Sequence, residues 1–81
     1  MGAPSSFRIS DPSSFGTAIR EFRVACGLSQ AEVSAAVGIH RSYLSALERG
    51  HITEQVIRML QIFRRLGVDV VLTMEGPDAR G

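Results

Sequence analysis

Apolar residues between Asp11 and Leu66 recur at intervals of three and four, and glycines divide them into four runs. Phe15, Ile19, Phe22 and Cys26 fall at i, i+4, i+7 and i+11, one stripe of a first helix. Asp11 as N-cap, Pro12 at the first helical position and Ser13 and Ser14 in the first turn mark its start; Gly27 marks its end. Cys26 thus reads as a small core residue rather than a reactive thiol. Ser29 and Glu32 form a capping box, which predicts a short second helix over 30–37. Val33, Ala36 and Val37 face inward on it, and Gly38 closes it. A third helix opens at His40, Arg41 or Ser42 and runs to about Arg49, with only Leu44 and Leu47 plainly inward. Thr53 caps a fourth, whose Val56, Met59, Leu60, Phe63 and Leu66 form a core stripe and which Gly67 ends.

Beyond Gly67 the period changes to two. Val68, Val70, Leu72 and Met74 alternate with Asp69, Val71 and Thr73, a β-branched, apolar pattern that predicts a strand over 68–75. A lone strand leaves its backbone groups unpaired, so it needs a partner. Within the chain the candidate is the segment around Phe7 to Ser10; between chains it is the same strand of a second copy, antiparallel about a two-fold axis. The second is preferred, with Val68, Val70, Val71 and Leu72 as the dimer strand. The organisation expected is a flexible arm over 1–10, a helical domain over 11–67, the strand, and a flexible tail over 76–81.

Composition strengthens the case for a second chain. At 81 residues the chain is one small domain, which buries only about 60% of the surface its unfolded form exposes. One cysteine excludes a disulfide framework, and Cys26, His40 and His51 lack metal-ligand spacing, so no metal and no cofactor are expected. Hydrophobic content of 44% with 21% charge is that of a globular protein, and no apolar run reaches membrane-span length. A reduced, cytoplasmic protein is expected, since the N-terminus lacks a signal-peptide core; Met1, Gly2 and Ser6 fit the myristoylation pattern only loosely. The basic residues are all arginine, and the net charge of +1 neither announces nor forbids nucleic acid, so the placement of the arginines decides. No carboxylate pair, phosphate loop or nucleophile with an evident base supports an enzyme.

That placement draws the eye to the third helix. On a helical wheel Ser42, Ser45, Ala46 and Arg49 point away from Leu44 and Leu47, with Arg41 on the flank. The bland reading is a solvated face; the sharper one is a surface of small residues and arginines shaped to enter a groove. The run GLSQAEVSAAVGIHRSYLSALERG, Gly27 to Gly50, resembles the helix-turn-helix of the lambda-repressor-like, or XRE, family. It shares Gly-Leu-Ser-Gln at the second helix's entry, glycine at the turn and Leu-Glu-Arg-Gly at the end of the third. Ser34 departs from the family's usual alanine but is still small. Together with Ile9, Pro12 and Gly16 at the entry and Leu66 to Leu72 at the exit, the chain is most similar to HipB-like antitoxins.

The resemblance implies a mainly α, four-to-five-helix DNA-binding fold, with the helix-turn-helix at 29–49 and a C-terminal strand that pairs between protomers. It implies a buried ion pair between Arg23 and Glu48. It also implies a homodimeric repressor that binds a palindromic operator in double-stranded DNA, regulates its own operon in the nucleoid and partners a HipA-like kinase toxin. The alternative is a stand-alone XRE-family repressor. Arg41 is then the candidate for bidentate guanine recognition, with Ser42 and Ser45 as smaller base readers. Gln30, His40, Tyr43 and Arg49 are the candidate phosphate contacts. Against these, Tyr43 reads equally as packing and His40 equally as a cap, while for Gln30 an exposed first-turn residue is the less favoured alternative. Arg8 is a candidate backbone or minor-groove contact, with an uninvolved arm preferred.

Overall fold

A computed structural model describes residues 6–74. The chain runs β1 (Ser6–Ile9), α1 (Pro12–Ala25), α2 (Gln30–Val37), α3 (Arg41–Glu48), α4 (Glu54–Arg65) and β2 (Val70–Thr73). The expected residues set the helix starts. Asp11 accepts from the Ser14 amide while the Ser14 hydroxyl accepts from the Asp11 amide, and Ser29 and Glu32 make the reciprocal pair at α2. Thr53 accepts from the Val56 amide at α4. Gly38 ends α2 at φ 84°, the left-handed region that a Cβ disfavours, and the chain reverses there into α3.

β2 pairs antiparallel with β1 of the same chain, Ser6 opposite Thr73 and Ile9 opposite Val70. One expectation is corrected, since Ser6 to Ile9 is a strand and not a flexible arm, and within the chain this N-terminal segment, the less preferred of the two partners expected, pairs with β2. The physical reason lies in Phe7 and Ile9, which share one face of β1. Ile9 is buried, and the Phe7 ring meets Phe22 of α1 edge-on, centroids 6.5 Å apart, so pairing with β2 also anchors the segment on α1. β1 therefore occupies one edge of β2, and the other edge, the one left for the pairing between protomers expected of Val68, Val70, Val71 and Leu72, has no strand beside it among the described residues. The expectations for 1–5 and 75–81, including the end of the expected strand and Met1 and Gly2 of the myristoylation pattern, lie outside the described residues.

The core is thin. Ile9, Ala18 and Leu44 are the buried apolar residues among those described, and Phe15, Ile19, Phe22 and Leu47 are half-buried around them. Gly16 lets α1 and α3 close together: a Cβ there would lie 2.5 Å from the Leu47 carbonyl oxygen and 2.8 Å from that of Glu48. Five inward assignments fail, two on α2 and three on α4. Ala36 and Val37 are exposed, because α2 turns Val33 and Ser34 to the domain instead. On α4, Met59, Phe63 and Leu66 are exposed, because the packed face is rotated toward Ile57, which is half-buried with Val56 and Leu60, the part of the expected stripe that does face the domain.

Candidate nucleic-acid interface

α2, the turn at Gly38 to His40 and α3 form the helix-turn-helix, and a polar network fixes its angle to α1. Arg23 of α1 donates through Nε to Glu48 Oε2 at 2.6 Å and through Nη2 to Glu48 Oε1 at 3.1 Å. Its Nη1 donates to the Leu28 carbonyl at 2.8 Å. Gln30, at the start of α2, donates to Glu48 Oε1 at 3.0 Å. One carboxylate at the end of α3 thus ties the end of α1 to the start of α2. The side chains of Arg23 and Glu48 are only 14% and 4% exposed, so the expected buried ion pair is present. The guanidinium, and with it the Gln30 amide, holds the Glu48 carboxyl below its ordinary pKa, against the opposing effect of burial.

Arg41 and Ser42 stand exposed in the first turn of α3, the end by which such helices enter a major groove. Ser45 and Ala46 are half-buried, and Arg49 is exposed at the far end. Arg49 Nη1 donates to Ser45 Oγ at 2.7 Å, which joins a candidate phosphate contact to a candidate base reader. His40 is the N-cap residue of α3 but makes no side-chain cap bond, so its exposed ring is not engaged by the helix. Tyr43 is 47% exposed, part packing and part surface. Gln30 is the residue that the structure treats most differently from the phosphate assignment: one amide hydrogen serves Glu48, and its second is the donor left for a ligand. Arg8 lies in β1 and pairs with Asp69 at 3.5 Å, both side chains well exposed.

The acids among the described residues are accounted for internally. Asp11 and Glu32 serve caps, and Glu21, Glu48, Glu54 and Asp69 pair with Arg20, Arg23, Arg58 and Arg8. Among the described residues Arg41 and Arg49 have no acid within ion-pair distance, so α3 carries positive charge although the chain is near neutral. No metal-binding cluster of His, Cys, Asp or Glu occurs among the described residues, and no helix there is long and apolar enough to cross a membrane. Sequence reasoning missed the Gln30–Glu48 bond and the Ser45–Arg49 bond; the i, i+4 spacing of the latter was its one visible signal.

Comparison with known proteins points the same way. The profile of the helix-turn-helix family matches residues 19–72. An uncharacterized HTH-type transcriptional regulator, y4dJ, of Sinorhizobium fredii is 44% identical over 45 residues, which cover 56% of this chain and 58% of that protein. The aligned part therefore spans a little over half the length of the relative. No solved structure matches.

Proposed function

Because the chain belongs to the helix-turn-helix family, we propose that it is a DNA-binding transcriptional repressor that reads its operator through α3. The observation that carries this is the exposed row of Arg41, Ser42 and Arg49 on a helix whose pose is locked by Arg23, Gln30 and Glu48. Arg41 reads a guanine edge by a bidentate pair, and Ser42 and Ser45 read neighbouring bases. Arg49, His40, Tyr43 and the remaining Gln30 donor hold phosphates and set the register of the helix in the groove. Two protomers place their α3 helices about 34 Å apart on a palindromic operator. The work is binding in the cytoplasm, not catalysis.

The likeness to HipB-like antitoxins supports a role in autoregulating an operon that also encodes a kinase toxin. A second reading, a stand-alone repressor, is favoured by one observation: β2 is paired inside the chain, whereas the antitoxin likeness leaned on a strand shared between protomers. A toxin gene beside this one, and a kinase that co-purifies with the chain, would separate the two.

Footprinting on the protein's own promoter tests the main proposal. Arg41→Ala should cost about 1 to 3 kcal/mol of affinity and relax the preference at one base pair per half-site. Unchanged affinity and preference would remove α3 from its assigned role.

A further inference from the structure

We propose that the exposed apolar face of α4 is the surface on which a second copy of this chain docks, antiparallel about a two-fold axis. The proposal rests on the dimeric reading above for the identity of the partner and adds the surface. Met59, Ile62, Phe63 and Leu66 fall at i, i+3, i+4 and i+7, one face of α4, and are 50%, 56%, 41% and 67% exposed. An isolated exposed leucine is ordinary, but a full helical stripe of large apolar side chains on so small a domain marks an interaction surface. Val68 and Val71, also about half exposed, follow it in the chain.

Three features select a second copy as the occupant. The first is charge. α4 has Glu54 in its first turn and Arg64 and Arg65 in its last, so an antiparallel pairing sets the acidic end of each helix beside the basic end of the other. Glu54 and Arg65 lie on the same flank of the stripe by helical geometry, and a two-fold axis brings that flank of one helix against that of its partner. Arg58, which meets Glu54 in its own chain at 3.2 Å, lies in an exposed pair that leaves the carboxylate open to a second cation.

The second feature is shape. Along the outer face of α4, Arg58, Gln61, Ile62, Arg65 and Leu66 line a shallow depression that borders the apolar stripe at Ile62 and Leu66. A depression beside the stripe gives room for a side chain of a facing helix. Glu54, Gln55, Arg58 and Met59 frame another one turn earlier. The third feature is what the protomer lacks. α4 has no buried residue, and a dimer of this kind buries about 800 Å² on each partner, enough to cover the stripe. Burying Met59 and Leu66 there gives them the core setting that their helical spacing demands.

The test is sedimentation of the full chain without DNA, at tens of micromolar. The wild-type chain should sediment as a dimer, and Ile62→Glu and Leu66→Glu should each weaken the dimer by about 30-fold or more, the size of an interface hot spot. Both sites are exposed in the protomer, so far-UV circular dichroism should stay unchanged. Glu54→Arg and Arg65→Glu should each weaken the dimer, and the two combined should recover most of the loss. A monomeric wild-type chain, dimers that are indifferent to Ile62→Glu and Leu66→Glu, or a charge swap without recovery would overturn the proposal. A chain that dimerises in this way but protects no DNA would refute the repressor reading and leave the interface standing. A chain that binds operator DNA as a monomer would overturn the interface and the two-protomer arrangement, and leave DNA recognition by α3 standing.

Discussion

Glu48 shows how much one side chain can be asked to hold. It accepts from Arg23 twice and from Gln30 once while 4% exposed, so removing it strands a nearly buried guanidinium. Glu48→Ala should therefore cost about 3 to 5 kcal/mol in urea unfolding, a large share of the stability that a domain of this size has. The same carboxyl sets an acid limit. Its pKa is depressed in the fold, so its stabilisation is complete above the ordinary glutamate value of about 4.3 and is lost as pH falls through the lower folded value. Urea midpoints measured down the acid range should fall there in the wild-type chain and fall less in Glu48→Ala. Ser34 is the contrasting case. Its buried hydroxyl donates only to the Ala31 carbonyl in its own helix, so Ser34→Ala should change stability by no more than about 0.5 kcal/mol.

At the scale of elements, α2 and α3 are eight residues each, too short to persist alone, so their geometry comes from caps and from packing on α1. Gly16 is the point of closest approach. The Cβ of Gly16→Ala would press on the backbone of Leu47, Glu48 and Gly50, and backbone cannot swing aside as a side chain can. Overpacking of this kind costs about 1 to 3 kcal/mol, more than the roughly 1 kcal/mol that alanine gains over glycine in a helix. Gly16→Ala should therefore lower the melting temperature, and by pushing α3 outward it should weaken operator binding further than the stability loss alone explains. A melting curve and a binding isotherm on the same sample separate the two effects. α4 carries apolar residues round most of its circumference, from Val56 and Ile57 to Ile62 and Phe63, and one domain can cover only part of that surface.

For the whole molecule, near-neutral charge and DNA binding are compatible because, among the described residues, the acids are taken up by caps and ion pairs while Arg41 and Arg49 are not. Arg49→Ala should weaken binding to all sequences alike. It should also reduce the slope of log affinity against log salt by about 0.9 for each phosphate it leaves without a cation, hence by nearly two for a dimer with one such phosphate in each half-site. A reduction of about 0.9 alone would mean that a single protomer neutralises a phosphate through Arg49.

The helix starts, the turn at Gly38 and the strand character of β2 were legible from residues alone, because caps, glycines and hydrophobic period act over a few neighbours. The Arg23–Glu48 pair was legible only through family resemblance, since nothing local links positions so far apart in the chain. Strand pairing and the facing of α2 and α4 were decided only by tertiary structure. Phe7 and Ile9 find α1 and β2 once the chain has closed, and no periodicity says which of two available edges a strand will take. A helical stripe specifies that a face must be buried; it does not specify whether the covering surface belongs to the same chain. On α4 the domain covers Val56, Ile57 and Leu60 in part and leaves Met59, Ile62 and Leu66 to the solvent, because its core is too small to reach round the helix.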